Sequence, residues 1–159
     1  MRRKDKQIQE ITAVKAIIRE NNLLHLGLAD NNIPYVVPMN YGFDGENLFL
    51  HCAVEGKKLD IIRRNKAEKG TPCFFEIVDS VKLYIVEDSS ECTTYFRSVM
   101  GNGKIFIIDD PEERYEGLKI ILKHTINREL EPLPASTLKK TCILKIIPGE
   151  LTGKQAPVR

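Results

Sequence analysis

The chain has 159 residues, enough for one domain (residues 1–159) with a real core, and its 24 Lys and Arg against 22 Asp and Glu leave a formal net charge of only +2. That balance argues against a dedicated nucleic-acid binder, which carries a marked basic excess, and makes Arg2-Arg3-Lys4 a solvated tail. No apolar run is long enough to span a bilayer, and none follows the charged start to complete an export signal, so the expected compartment is the cytoplasm.

In chain order, Gln7 to Asn21 has helical spacing, with Ile8, Ile11, Val14 and Ile18 on one face. Leu23 to Ala29 is a short apolar run that includes His25, and Asp30-Asn31-Asn32 makes a turn. Two apolar runs, the first from Tyr35 and the second ending in His51, flank Asp44-Gly45, the signature of a β-hairpin. Gly56 then precedes a short helix from Lys57 to about Lys66, with Leu59 and Ile62 facing inward. Gly70-Thr71-Pro72 breaks it.

Cys73 to Val78 and Val81 to Val86 read as two strands, followed by a polar loop from Glu87 to Thr94. Tyr95 to Ile108 is strand-like, and its Gly101-Asn102-Gly103 implies a bulge, a bend or a close approach of another backbone or a ligand. Asp110-Pro111-Glu112-Glu113 opens a helix: Asp110 caps, Pro111 suits the first turn, and Glu113 takes the capping-box position. Its expected inner face is Tyr115, Leu118 and Leu122. Glu131 to Pro134 reads as a loop, and Thr141 to Ile147 as the last strand, ended by Pro148-Gly149. Strands in series without long βαβ alternation predict a mainly antiparallel sheet or barrel with peripheral helices.

Chemistry is sparse. The four cysteines, at 52, 73, 92 and 142, form no Cys-x-x-Cys pair; they read as reduced thiols, and no metal site is implied. There is no Gly-x-Ser-x-Gly and no metal-spaced His cluster. Gly56-Lys57-Lys58 is the one suggestive stretch. The first N–H groups of a helix lack internal partners and carry the positive end of its dipole, so two added ammonium groups make an anion site suited to phosphate. A pair of solvated surface lysines is the plainer alternative. A lone His51 at the end of the hairpin is a weak sign of catalysis and by itself reads as a structural side chain. His25 and His124 read the same way, and Cys52 reads as a small hydrophobe before it reads as a reactive thiol.

Several stretches, taken in order, resemble the pyridoxamine 5′-phosphate oxidase-like flavin-binding proteins, and within them the nitroimidazole-resistance branch. They are Tyr35-Val36-Val37-Pro38-Met39-Asn40-Tyr41-Gly42, His51-Cys52-Ala53 and Glu55-Gly56-Lys57-Lys58. Cys92, Tyr95, Ser98-Val99, Gly103-Lys104 and Thr152-Gly153-Lys154 agree with the same pattern. The resemblance covers nearly the full length and implies an antiparallel split β-barrel homodimer with FMN in grooves at the interface.

It further implies that Pro38, Met39 and Asn40 run beside the flavin ring and that Tyr41 is also cofactor-binding. His51, Lys57 and Lys58 would lie toward the ribityl phosphate, Cys52 would be a further cofactor-binding residue, and Arg97, Ser98 and Val99 would form another flavin-side stretch. In that setting His51 becomes a cofactor or substrate contact and the candidate catalytic residue. Met39 and Tyr41 stand where Leu and Phe are usual, and Cys52 where a small residue is common. The implied function is reduction of a small electron-poor molecule, with NAD(P)H or a deazaflavin as donor. No Gly-x-Gly-x-x-Gly is present, so a nicotinamide would visit the flavin only transiently. A flavin- or haem-binding protein that stores or senses its cofactor is the alternative.

Overall fold

Asp44-Gly45 forms the expected turn. The Asp44 carboxylate accepts the backbone N–H groups of Glu46 and Asn47 at 2.7 and 2.6 Å, and β3 (Ile33–Phe43) pairs antiparallel with β4 (Leu48–Ala53), Tyr41 opposite Leu50. The computed structural model in which this is seen describes residues 3–65, 69–129 and 140–156; the loop expected at Glu131 to Pro134 lies outside them.

Around the hairpin a ring of strands closes. β2 (Leu23–Asp30) pairs with β3 along its length, but with β5 (Thr71–Tyr84) only through His25–Gly27. β5 pairs with β6 (Thr93–Ile108), β6 with β7 (Thr141–Ala156), and β7 with β4. Every pairing is antiparallel. The fold is therefore mainly β, an antiparallel split barrel, with three peripheral α-helices among the described residues: α1 (Ile11–Glu20), α2 (Lys57–Arg64) and α3 (Pro111–Ile126). Closing the ring leaves few open strand edges.

Inward alternation fills the barrel with Leu24, Leu26 and Leu28 of β2, Leu48 and Leu50 of β4, Phe75 and Ile77 of β5, and Leu144 and Ile146 of β7. A smaller apolar cluster of Phe49, Ile108, Ile121 and Ile143 lies outside the barrel wall, under α3. β4 is thus covered on both faces, which is why it reads Leu48-Phe49-Leu50 without alternation.

Four details depart from the sequence reading. The first helix begins at Ile11, not Gln7, because Gln7–Ile8 forms a short strand, β1, against Lys154 and Gly153 of β7. The two strands expected at 73–78 and 81–86 are one: Asp79 is an extra residue between the pairs Val78–Ser98 and Ser80–Arg97, a bulge and not a break. β7 runs through Pro148-Gly149 to Ala156, because an irregularity opposite Asn102 absorbs the proline; the Asn102 side-chain oxygen accepts the N–H of Glu150 at 3.0 Å.

The fourth concerns α3. Asp110 caps it as expected, accepting from the N–H groups of Glu112 and Glu113, yet its buried residues are Gly117 and Ile121, with Leu118 and Ile120 packed beside them. The inner face is rotated from the expected Tyr115, Leu118 and Leu122 because the helix seats on glycines. A Cβ on Gly117 would come within 2.8 Å of Ile143, and one on Gly42 within 2.6 Å of the Ile121 backbone. Apolar spacing does not register a contact made through missing side chains.

Candidate functional site

Strand alternation divides the predicted residues between the two faces of the β3–β4 hairpin. Pro38 and Asn40 are exposed on the outer face, as is His51. His51 and Asn40 line a groove of about 330 Å³ whose wall is α3, through Leu118, Leu122 and Thr125, and whose far end is Asn22. The Asn40 amide donates to the Asn22 carbonyl at 3.1 Å, fixing this end of the groove to the start of β2.

On the inner face Met39 and Tyr41 are buried. The Tyr41 hydroxyl donates to the carbonyl of Ile18 in α1 at 2.6 Å, and burial raises its pKa above the usual tyrosine range. Its side chain therefore belongs to the core, and only its backbone can face a surface ligand. The same holds for Val99, which is fully buried; Ser98 is nearly so.

α2 closes the barrel on the inner side. Its N-cap, Gly56, has φ +123°, a left-handed-side conformation that suits glycine, and no side chain caps the first turn. Lys58 reaches back to Met39, its Nζ 3.0 Å from the sulfur. Lys57 lies over the Tyr35 ring at 5.4 Å and 3.9 Å from Asp30, whose carboxylate is also paired with Arg64. Leu59, Ile61 and Ile62 anchor the helix to the core. The N-terminus of α2, uncapped and flanked by two ammonium groups, is thus presented three residues after β4 ends. The chemistry of this donor set fits a phosphate monoester.

Cys52 lies beside these groups. The Cys142 thiol, directly opposite on β7, together with the charges of Lys58 and Arg63, lowers its thiol pKa despite partial burial.

The family model described as pyridoxamine 5′-phosphate oxidase matches residues 10–155. The chain belongs to this family. A candidate 5-nitroimidazole antibiotic resistance protein from Bacteroides thetaiotaomicron has a similar structure, with 27% identity over 94% of this chain and 86% of that one, and a TM-score of 0.81. A flavocytochrome from Azotobacter vinelandii (22% identity, 99% and 72% coverage, TM-score 0.83) shares the fold. So does an FAD- and haem-binding protein from Mycobacterium smegmatis (19% identity, 96% and 74% coverage, TM-score 0.82). Comparison with curated proteins gives no match.

In this member of the pyridoxamine 5′-phosphate oxidase family Arg97 is held by its own chain. Its guanidinium donates to Asp79 at 2.6 Å and to Glu20 at 3.0 Å, and the Asn21 amide donates to the other Asp79 oxygen. The bulge in β5 carries Asp79 here, where it ties β5 and β6 to the end of α1. Sequence reading missed Asp79, Asn22 and the α3 wall. Asn21-Asn22 reads only as a helix end, and nothing local marks a bulged Asp as an ion-pair partner.

Burial pushes the Asp79 carboxyl up, but the hydrogen bonds from Asn21 and Arg97 and the Arg97 charge outweigh it, so its pKa lies below the usual range. A carboxylate with a depressed folded-state pKa stabilises fully above the unfolded value of about 3.9, and loses that contribution as pH falls through the folded value. Asp79→Ala should therefore cost about 1–3 kcal/mol at neutral pH. The lower half of that range is expected because the Arg97 side chain is 43% exposed and screened by solvent. Urea midpoints of wild type and variant should begin to converge as pH falls below about 4 and should meet only below the depressed folded value. A constant gap down to strong acid would remove Asp79 as the titrating group.

Proposed function

We propose that the chain is an FMN-dependent oxidoreductase, acting as a homodimer with flavin at the interface and reducing a small electron-poor molecule of the nitroimidazole type. The observation that carries this reading is the uncapped N-terminus of α2 with Lys57 and Lys58, at the same end of the hairpin as exposed Pro38, Asn40 and His51. Membership of the pyridoxamine 5′-phosphate oxidase family and similarity to a candidate 5-nitroimidazole resistance protein support it.

In this reading Lys57, Lys58 and the first N–H groups of α2 hold the phosphate. The backbone from Pro38 to Tyr41 flanks the ring, and the apolar α3 wall of the groove limits water beside it. Bound FMN would supply hydride or electron transfer; the protein supplies binding, orientation and electrostatics. His51 holds or delivers a proton at an imidazole nitrogen facing the groove. Cys52, Ser98 and Val99 shape the pocket, and Arg97 positions its β6 stretch through Asp79. A second copy would cover the exposed apolar residues Val36 and Phe74, which line a groove of about 450 Å³ on β2, β3 and β5.

The test is anaerobic mixing of the FMN-loaded protein with NADH, NADPH or a reduced deazaflavin, followed by a nitroaromatic or quinone acceptor. The flavin absorbance should bleach and return faster than with free FMN. His51→Ala should keep a cooperative melt and slow the acceptor step by roughly a hundredfold or more, the lower end for a general acid. If no donor bleaches the flavin faster than free FMN, storage or sensing of flavin or haem replaces turnover as the reading.

A further inference from the structure

Cys52 and Cys142 stand directly opposite each other on antiparallel β4 and β7. Residues so paired project to the same side, with Cα atoms about 4.5–5.5 Å apart. That separation falls within the roughly 4.4–6.8 Å that a disulfide spans. The two side chains belong to the same buried apolar cluster, Cys142 within it and Cys52 packed against it. Cys142 is buried and Cys52 half-buried. A small groove of about 150 Å³ is lined by Cys142 together with Arg63, Asp109 and Arg114 among others.

The remaining cysteines are placed differently. Cys73 is buried, and burial pushes its thiol up to about 12. Cys92 is exposed on the loop between β5 and β6, where its sulfur contacts the Val86 backbone.

We propose that Cys52 and Cys142 form an oxidation site that takes a small hydroperoxide, such as hydrogen peroxide, and closes to an intrachain disulfide. The proposal stands independently of flavin binding. Cys52 is the attacking sulfur, since Lys58 and Arg63 from α2 and the Cys142 thiol from β7 all favour its thiolate. Arg63 and Arg114, the latter from α3, bear on Cys142; Asp109 is the acidic group in the groove beside it.

The Cys52 thiolate attacks one peroxide oxygen and the O–O bond breaks. The departing hydroxide takes a proton and leaves as water, giving a sulfenic acid on Cys52. The Cys142 sulfur then attacks the Cys52 sulfur and the S–O bond breaks. The S–S bond forms, and a second water leaves with the Cys142 proton. Two thiols are oxidised by two electrons together, and one hydroperoxide is reduced to two waters. The bond staples β4 to β7 one residue beyond His51.

The experiment treats the reduced full-length protein with hydrogen peroxide at pH values on either side of neutrality, then maps peptides under non-reducing conditions. The expected product is a Cys52–Cys142 cross-link that forms faster as pH rises. Cys52 should be consumed on the order of tenfold faster than exposed Cys92, as thiolate character dictates. Cys142→Ser should halt at a Cys52 sulfenic acid trapped by dimedone, Cys52→Ser should form no link, and Cys73→Ser and Cys92→Ser should link as wild type. The wild-type map decides even where a variant folds poorly. Oxidation of Cys92 while Cys52 and Cys142 stay reduced, or a link joining two chains through Cys92, would overturn the proposal.

Discussion

Replacing Lys57 and Lys58 together by alanine is expected to weaken FMN binding on the order of a hundredfold while leaving riboflavin nearly unchanged. A hydrogen bond to a charged group is worth about 1.5–3 kcal/mol, roughly a tenfold change or more per contact. Lys57 should contribute the smaller share: its side chain is 60% exposed, and it already faces Asp30. Lys58, anchored along Met39, is the better ordered of the two. The first-turn N–H groups of α2 remain in the double variant, so phosphate recognition is weakened and not abolished. Because the lost interactions are between charges, the gap between wild type and variant should narrow as salt rises. Titration of both flavins by fluorescence quenching decides the matter. An equal loss for FMN and riboflavin would mean that the lysines act through the fold of α2 and not through a phosphate.

Much of the barrel follows from local chemistry. Asp44-Gly45 turns the chain, Asp110-Pro111 starts α3, and Leu24, Leu26 and Leu28 alternate as a strand with one buried face must. What escaped the sequence was non-local. Gln7–Ile8 pairs with β7 from the far end of the chain, and a helical spacing of Ile8 and Ile11 cannot compete with an open strand edge. Pro148-Gly149 looks like a stop, yet the Asn102 side chain bridges the irregularity and pairing resumes. The site shows the same division. The lysine-flanked, uncapped start of α2 is legible in three consecutive residues, Gly56 to Lys58. The opposition of Cys52 and Cys142, and the wall that α3 gives the His51 groove, depend on which strands become neighbours.

That wall rests on two glycines, Gly117 within α3 and Gly42 beneath its backbone. Gly42→Ala should destabilise the protein by about 3 kcal/mol, the upper part of the range for overpacking, and lower Tm by roughly 6–12 °C for a chain of this size. The added Cβ would meet Ile121 Cα and N at 2.6 Å and the Ile120 carbonyl carbon at 2.7 Å. These are backbone atoms, so no rotamer change relieves the contact; α3 itself must lift from β3. Lifting it strips Phe49, Ile121 and Ile143 of packing and widens the groove in which Asn40 and His51 sit. Flavin affinity should therefore fall with stability, whereas the Lys57 and Lys58 replacements should change affinity alone. Gly27→Ala is the matched control. It also lies within a strand, but its Cβ would meet nothing nearer than the Phe74 carbonyl oxygen at 3.4 Å, an ordinary contact. If both variants melt with wild type, α3 is not seated on Gly42, and the groove wall has no fixed position from which to shape a ligand.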